Sequence, residues 1–192
     1  MDDHAFHQIL WKAEGFESLE RCTLRSNDEG WQLDGTVICL VDAPTEVTYE
    51  IKISSEWETE LVELCCSNGP LTSHLTLVRN SQRQWQCNGE AFPQLDGCFD
   101  IDLGITPSTN TLPIRRLNLA VGEKASVDAA WVQFPSLEVA RLPQTYTRID
   151  ESTYHYQSAS GFETYLKIND AGLTTTYDGG WQEVLPESVS RH

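Results

Sequence analysis

The sequence has few basic residues and no long apolar run. Its 192 residues include 13 Lys and Arg against 29 Asp and Glu, which gives a formal net charge of -16. Nucleic-acid phosphates need clustered cations, and anionic membrane surfaces repel such an acidic protein. No segment approaches the length that spans a bilayer. We therefore expect no nucleic-acid partner and no stable membrane insertion.

The sequence also lacks the short motifs that identify common catalytic, nucleotide-binding and metal-binding sites. It contains no GxSxG, Walker loop, HExxH or dinucleotide-binding fingerprint. Its five histidines are scattered, and no two of them have the spacing of metal ligands. We therefore expect no metal and no cofactor, and a non-enzymatic role is favoured over catalysis.

We expect no export signal ahead of the six cysteines. Asp2 and Asp3 stand where a secretory signal would carry positive charge, so a cytoplasmic location is expected. The cysteines show no CxxC spacing, and adjacent Cys65 and Cys66 would point to opposite faces of a strand. We expect free thiols that act as small hydrophobic side chains.

Short segments of alternating polarity fill most of the chain. In residues 47–53, VTYEIKI, every second side chain is apolar, which is the pattern of a half-buried strand. The predicted strands are 4–13, 19–25, 31–41, 46–54, 59–66, 71–78, 84–87, 126–134, 137–142, 146–149, 154–158, 163–168 and 173–177, the first of them open to a helical interpretation. Their short connections favour a mostly antiparallel sheet. Residues 1–185 are expected to form one domain, with a frayed tail over 186–192.

The segment 97–119, GCFDIDLGITPSTNTLPIRRLNL, interrupts this pattern and predicts the chain's one helix. Thr109 or Asn110 can cap its first turn, and Pro113 is tolerated within that turn. Apolar and basic residues then recur at helical spacing at Leu112, Arg115, Arg116 and Leu119. So short a helix needs packing to hold it, and the concave face of the sheet is its natural partner.

About a dozen strands rarely remain a flat sheet, because twist accumulates and edges are exposed. Curling into a barrel or roll solves both problems, and a wide roll encloses more space than its wall side chains fill. The helix, a ligand or both must occupy that interior. The sequence thus predicts a mostly β fold, a many-stranded antiparallel roll around one short central helix.

Asp100 and Asp102 lie two residues apart, so on a strand they share one face. Two carboxylates could perform acid–base or hydrolytic chemistry or hold a hard metal. The alternative is an ion-pair network with Arg115 and Arg116 that orients the helix. Thr109 and Asn110 likewise have two interpretations, as helix caps or as hydrogen-bond partners of a sugar.

Aromatic residues are a second group of candidates for ligand binding, since the sequence contains six Trp and six Tyr. Sugar-binding sites use aromatic faces, although Trp and Tyr in curved sheets more often serve core and rim packing. Tyr146 and Trp181 are the two that we retain as ligand-binding candidates.

Several segments together resemble a known family. GCFDIDL and TPSTNTLPIRRLNL are followed by YTRIDESTYHYQS, FETYLKINDAGL and a terminal Y-x-G-x-W. With the early Trp11 and Gly15-Phe16-Glu17, they resemble the putative glycolipid-binding family, a bacterial domain of unknown function. The resemblance implies a spiral β-roll around one helix, similar in shape to carriers of bacterial lipoproteins. This chain departs from the family pattern at Ser108, at Ser55-Glu56, and at Asp178 and Gly180.

The resulting hypothesis is a non-enzymatic carrier that holds an amphiphile, plausibly a glycolipid, inside the roll. The candidate ligand-binding residues are Asp100, Asp102, Thr109, Asn110, Arg115, Arg116, Tyr146 and Trp181. One alternative is a small hydrolase or isomerase that uses Asp100 and Asp102 in an open cavity. The other is a structural or interaction module whose helix fills the roll and leaves no cavity.

Overall fold

The computed structural model describes residues 4–186, which contain fifteen strands, one α-helix and two short 3-10 turns. The strands are β1 Phe6–Ala13, β2 Ser18–Asn27, β3 Gly30–Leu40, β4 Pro44–Ser54, β5 Thr59–Asn68, β6 Leu71–Arg79, β7 Trp85–Cys87, β8 Glu90–Ala91, β9 Asp100–Leu103, β10 Lys124–Val132, β11 Val139–Arg148, β12 Thr153–Ser158, β13 Glu163–Ile168, β14 Thr174–Tyr177 and β15 Trp181–Glu183. The helix, α1, is Thr111–Leu117. The 3-10 turns are Pro93–Leu95 and Ser108–Asn110.

All fifteen strands belong to one sheet. The order runs from β8 back through the chain to β1, continues to β15, and then runs back again to β9. Strands β8 and β9 are the two ends of this order and do not pair with each other within residues 4–186, so the curled sheet is an open roll. The predicted mostly β roll around one short helix is confirmed.

One strand pair departs from the predicted antiparallel pattern. β9 pairs with β10 in parallel, with Asp102 opposite Trp131. A parallel pair needs a long crossover connection, and α1 lies within that connection. The helix therefore both fills the roll and turns the chain back for a parallel pairing.

The concave face of the sheet carries the core. Alternating residues of β3 and β4, among them Leu33, Val47 and Ile51, are fully buried in one large cluster. Tyr146, Tyr154 and Tyr156 belong to a second, smaller cluster. The helix joins the two, because Leu112 packs in the large cluster and Ile114 in the small one.

The predicted side-chain capping of the helix is wrong. The Thr109 hydroxyl accepts a hydrogen bond from the Leu103 N–H, and the Asn110 amide donates to the Pro107 carbonyl. The preceding 3-10 turn already supplies carbonyl partners to the first helical N–H, that of Thr111. The helix also ends before Leu119, the last residue of the predicted helical spacing, because Asn118 adopts a left-handed conformation.

Other local predictions can be compared directly. A tight turn at 169–172 joins β13 to β14, with Gly172 at positive φ and its N–H bonded to the Asn169 carbonyl. All six cysteines are free thiols, as expected. Of the predicted frayed tail, Pro186 is exposed and 187–192 lie outside the described residues.

Candidate functional site

A cleft of about 370 Å³ opens beside the segment that leads into the helix. We call it the aromatic cleft. Aromatic side chains and small polar groups line it together: Phe16, Asp102, Leu103, Gly104, Ile105, Thr106, Asn110, Trp131, Phe134, Leu142, Tyr156, Ser158, Ser160, Phe162, Tyr177, Gly179, Gly180 and Trp181. Its volume falls within the range of small-molecule sites, roughly 300–1,000 Å³.

The cleft exists because several elements converge at one place. The connection 104–110 between β9 and α1 supplies Thr106 and Asn110. Strands β10, β12, β14 and β15 supply the aromatic walls. At the turn between β14 and β15, a β-carbon on Gly180 would lie 2.6 Å from the Tyr177 ring, so glycine leaves room for that ring.

The aromatic rings contact one another around the opening. Phe16 and Trp181 meet edge to face with ring centroids 5.5 Å apart. Phe162 stacks on Tyr177 at 5.8 Å and lies 6.2 Å from Tyr156. Phe16 and Phe162 remain 45% and 46% exposed, so the wall continues outward as an apolar rim.

Asp102 is the only charged side chain among the described residues that line the cleft. Its Oδ2 accepts a hydrogen bond of 2.5 Å from the Gln144 amide. Burial raises the pKa of Asp102 to about 6, and this hydrogen bond opposes the rise. Asp102 is therefore mainly a carboxylate at neutral pH, set among apolar walls, where it can accept hydrogen bonds from a ligand.

Two tyrosines, Tyr156 and Tyr177, line the cleft together with Asp102. Burial and the charge of Asp102 both raise the pKa values of Tyr156 and Tyr177. Both hydroxyls therefore stay protonated at neutral pH and remain available as donors.

Asn110 is held in place from two sides. The Tyr146 hydroxyl donates to Asn110 Oδ1 at 2.9 Å, and the Asn110 amide donates to the Pro107 carbonyl at 3.1 Å. Tyr146 itself is buried behind the cleft. It therefore acts on the site through Asn110.

The structure brings three of the eight predicted site residues, Asp102, Asn110 and Trp181, into the aromatic cleft. Asp100 instead accepts a bidentate pair of hydrogen bonds from Arg116, at 3.0 and 2.5 Å. Asp100 is 1% exposed, so this ion pair is largely removed from water. The predicted Asp–Arg network is present at this pair, and among the described residues no second carboxylate for the hydrolase alternative lines the cleft.

The remaining predicted residues lie elsewhere. Thr109 is buried against β9 through its bond with the Leu103 N–H. Arg115 is exposed, lines a separate groove of about 600 Å³, and places its guanidinium 4.9 Å from the Trp57 ring. A ligand-binding role for these residues stays a prediction.

A buried polar cluster lies behind Thr106. The hydroxyls of Tyr49 and Thr106 both donate to Glu20 Oε1, at 2.5 and 2.7 Å, and Ser108 Oγ lies 2.7 Å from the Tyr49 hydroxyl oxygen. Glu20 is fully buried, and its Oε2 has no hydrogen-bond partner in the described part of the chain. Burial raises the Glu20 pKa to about 8. Glu20 therefore holds the connection 104–108 as a mostly neutral acid.

Sequence reasoning missed most of the aromatic wall and the whole Glu20 cluster. The wall residues Tyr156, Phe162 and Tyr177 fall in the segments that carry the family resemblance, but their convergence depends on strands far apart in the chain. Glu20 had a local signal, because it shares its strand face with the buried Cys22 and Leu24. An acidic residue at an inward position of a strand indicates a buried polar site.

Other features of the described residues are less suited to a ligand. A groove on the outer side of β2–β6, about 410 Å³, is lined by Asp34, Glu50 and Glu63, which lie side by side on neighbouring strands. Residues 4–186 hold no cluster of three or more His, Cys, Asp or Glu arranged for a metal ion. The same residues form no helix of the length and apolarity that crossing a membrane requires.

Comparison with known proteins gives one family and one fold. The family described as "Putative glycolipid-binding" matches residues 8–183. The crystal structure of a DUF1089 family protein from Pseudomonas aeruginosa is 32% identical, with a TM-score of 0.79. The alignment covers 91% of this chain and 95% of that one. No functionally curated protein is similar enough to this chain to count as a relative.

Proposed function

The chain belongs to the putative glycolipid-binding family, and from this premise we propose that it binds an amphiphilic ligand, a glycolipid, in the aromatic cleft. The observation that carries the proposal is the composition of this cleft. Aromatic faces that can stack on sugar rings surround one carboxylate and several hydroxyl and amide groups. A few placed polar groups in a mainly apolar pocket are what fix the orientation of a small ligand.

The interior of the roll favours a ligand-binding protein over a structural module whose helix fills the roll completely. Side chains of the sheet and α1 fill most of the interior, but they leave the cleft open beside the helix. The polar groups that line it also fit binding better than two-carboxylate catalysis, because Asp100 is engaged by Arg116. A cytoplasmic location is part of the proposal, since six free thiols suit a reducing compartment.

Lipid retention by the purified protein tests this function. Native mass spectrometry of protein purified from its own host should show a bound glycolipid. Adding that glycolipid to stripped protein should raise the melting temperature, because a ligand that binds only the folded state stabilises it. Absence of lipid from repeated preparations, together with an unchanged melting temperature across a glycolipid panel, would refute the proposal.

A further inference from the structure

The charge of the aromatic cleft restricts which head group it can accept. Asp102 is the only charged residue among its described lining, and no Lys, Arg or His accompanies it. A phosphate or carboxylate in the cleft would face this carboxylate across apolar walls, where like charges repel more strongly than in water. The net charge of -16 adds a longer-range repulsion of the same sign.

The uncharged polar groups of the cleft match a different chemistry. The hydroxyls of Tyr156, Ser158 and Tyr177 and the amide of Asn110 can both donate and accept hydrogen bonds. Sugar hydroxyls have the same dual character, and they can also donate to Asp102 in charge-assisted bonds. The aromatic walls offer flat faces for the apolar side of a sugar ring.

The volume of the cleft suits the head group of a lipid but not its hydrocarbon chains. Its volume of about 370 Å³ is at the lower end of the range for small-molecule sites, and a whole two-chain lipid is far larger. Phe16 and Phe162 are nearly half exposed at the rim, where emerging methylene groups can lie against them.

We propose that the aromatic cleft receives the sugar ring of a glycolipid with an uncharged head and excludes acidic heads, while the lipid chains leave across Phe16 and Phe162. Asp102 is then the residue that sets this specificity. The inference rests on the proposed function, which it narrows from amphiphiles in general to one class of head group.

Matched soluble probes test the inference. Isothermal titration at pH 7.5, below the micelle concentration, would compare octyl glucoside and octyl galactoside with octyl glucuronide and octyl galacturonide, each pair differing by one carboxylate. At least one neutral glycoside should bind about tenfold more tightly than its acidic partner, a difference of about 1.4 kcal/mol. Octanol, which has no sugar, should bind more weakly than that glycoside.

The variant Asp102→Asn should reduce the discrimination between the pair to less than about threefold, because it removes the repelling charge without changing the side-chain size. Asp42→Asn makes the same charge change at an exposed turn outside the cleft and should keep the discrimination. Circular dichroism would confirm that both variants are folded. Discrimination that persists in Asp102→Asn overturns the assigned role of Asp102.

Two outcomes on the unaltered protein separate the inference from the proposed function. If both acidic probes bind as tightly as their neutral partners, or octanol as tightly as the glycosides, the head-group inference fails while amphiphile binding stands. If glycosides, uronides and octanol all fail to bind, both fail.

Discussion

Glu20 is a carboxylic acid in an apolar interior. Its ordinary pKa of 4.5 rises to about 8 because burial disfavours the charged form, although Tyr49 and Thr106 donate hydrogen bonds to it. Between these two values the folded protein keeps a proton that the unfolded chain has released. The free energy of unfolding should therefore fall as pH rises from about 5 to 8, by at most about 1.4 kcal/mol per pH unit from this group.

Replacement of Glu20 by Gln should remove this part of the pH dependence. The amide oxygen can still accept from Tyr49 and Thr106, but the side chain no longer ionises. Urea unfolding at several pH values should show the stability of Glu20→Gln, relative to the unaltered protein, increasing steadily between pH 5 and 8.

Glu46→Gln makes the same replacement at an exposed position of β4 and provides the control. Its stability relative to the unaltered protein should change little over the same range. Parallel pH profiles for Glu20→Gln and the unaltered protein would show that Glu20 is ionised in the folded state.

Asp102 should make the affinity for a ligand increase as pH rises, whereas Glu20 makes the stability decrease. The pKa of about 6 for Asp102 means that it accepts hydrogen bonds as a carboxylate at pH 7.5 and is mostly protonated at pH 5. Charge-assisted bonds from ligand hydroxyls are then lost, since the Gln144 amide and the nearby hydroxyls of Tyr146, Tyr156 and Tyr177 are neutral. Affinity for the best neutral glycoside should fall about threefold to tenfold between pH 7.5 and 5 in titration calorimetry.

The variant Asp102→Asn should bind that glycoside with the same affinity at both pH values. An equal loss of affinity in the variant would show that another group causes the pH dependence.

At the residue scale, the sequence predicted the common face of the two aspartates but not their partners. The two-residue spacing of Asp100 and Asp102 predicted one shared face, but the positions of α1 and β11 decide that one meets Arg116 and the other Gln144.

At the scale of elements, the first half of α1 is buried and its last turn is anchored to β9. Thr111, Leu112, Pro113 and Ile114 are all buried, and Arg116 ties the last turn to Asp100. The sequence predicted this helix from its spacing and from Pro113 in the first turn. It did not predict the parallel pairing of β9 and β10, because that depends on where the crossover returns the chain and not on local periodicity.

Loss of Arg116 should destabilise the protein strongly. Arg116→Met keeps much of the side-chain stem but leaves the Asp100 carboxylate, 1% exposed, without its partner. An uncompensated buried charge costs on the order of 3–5 kcal/mol, which urea unfolding would measure.

Arg115→Met is the control in the same helix. Arg115 is exposed and lies over Trp57, so its replacement should lower the stability by less than about 1 kcal/mol. Equal losses in the two variants would show that the Asp100–Arg116 pair does not anchor the helix. Adding Asp100→Asn to Arg116→Met should recover part of the stability.

At the scale of the molecule, an open fifteen-stranded roll encloses one helix and leaves one aromatic cleft beside it. The number of short alternating segments predicted the curled sheet, since so many strands do not remain flat. The place of the cleft could not be predicted in this way. It is built from 16, 102–110, 131–134, 142, 156–162 and 177–181, which come together only when β1 pairs with β15 and β9 pairs with β10.

The distribution of tryptophans permits the most direct test of this account. Trp131 and Trp181 line the aromatic cleft, whereas Trp11 and Trp85 are buried in the large core cluster and donate their indole N–H groups to the carbonyls of Thr174 and Cys98. Indole N–H signals in a nitrogen-15 correlation spectrum, assigned by single Trp→Phe variants, report on each site separately.

Titration with the tightest-binding neutral glycoside should shift the indole signals of Trp131 and Trp181 and leave those of Trp11 and Trp85 in place. Shifts confined to Trp11 and Trp85, or no shift at Trp131 and Trp181 with any glycoside tested, would contradict binding in the aromatic cleft.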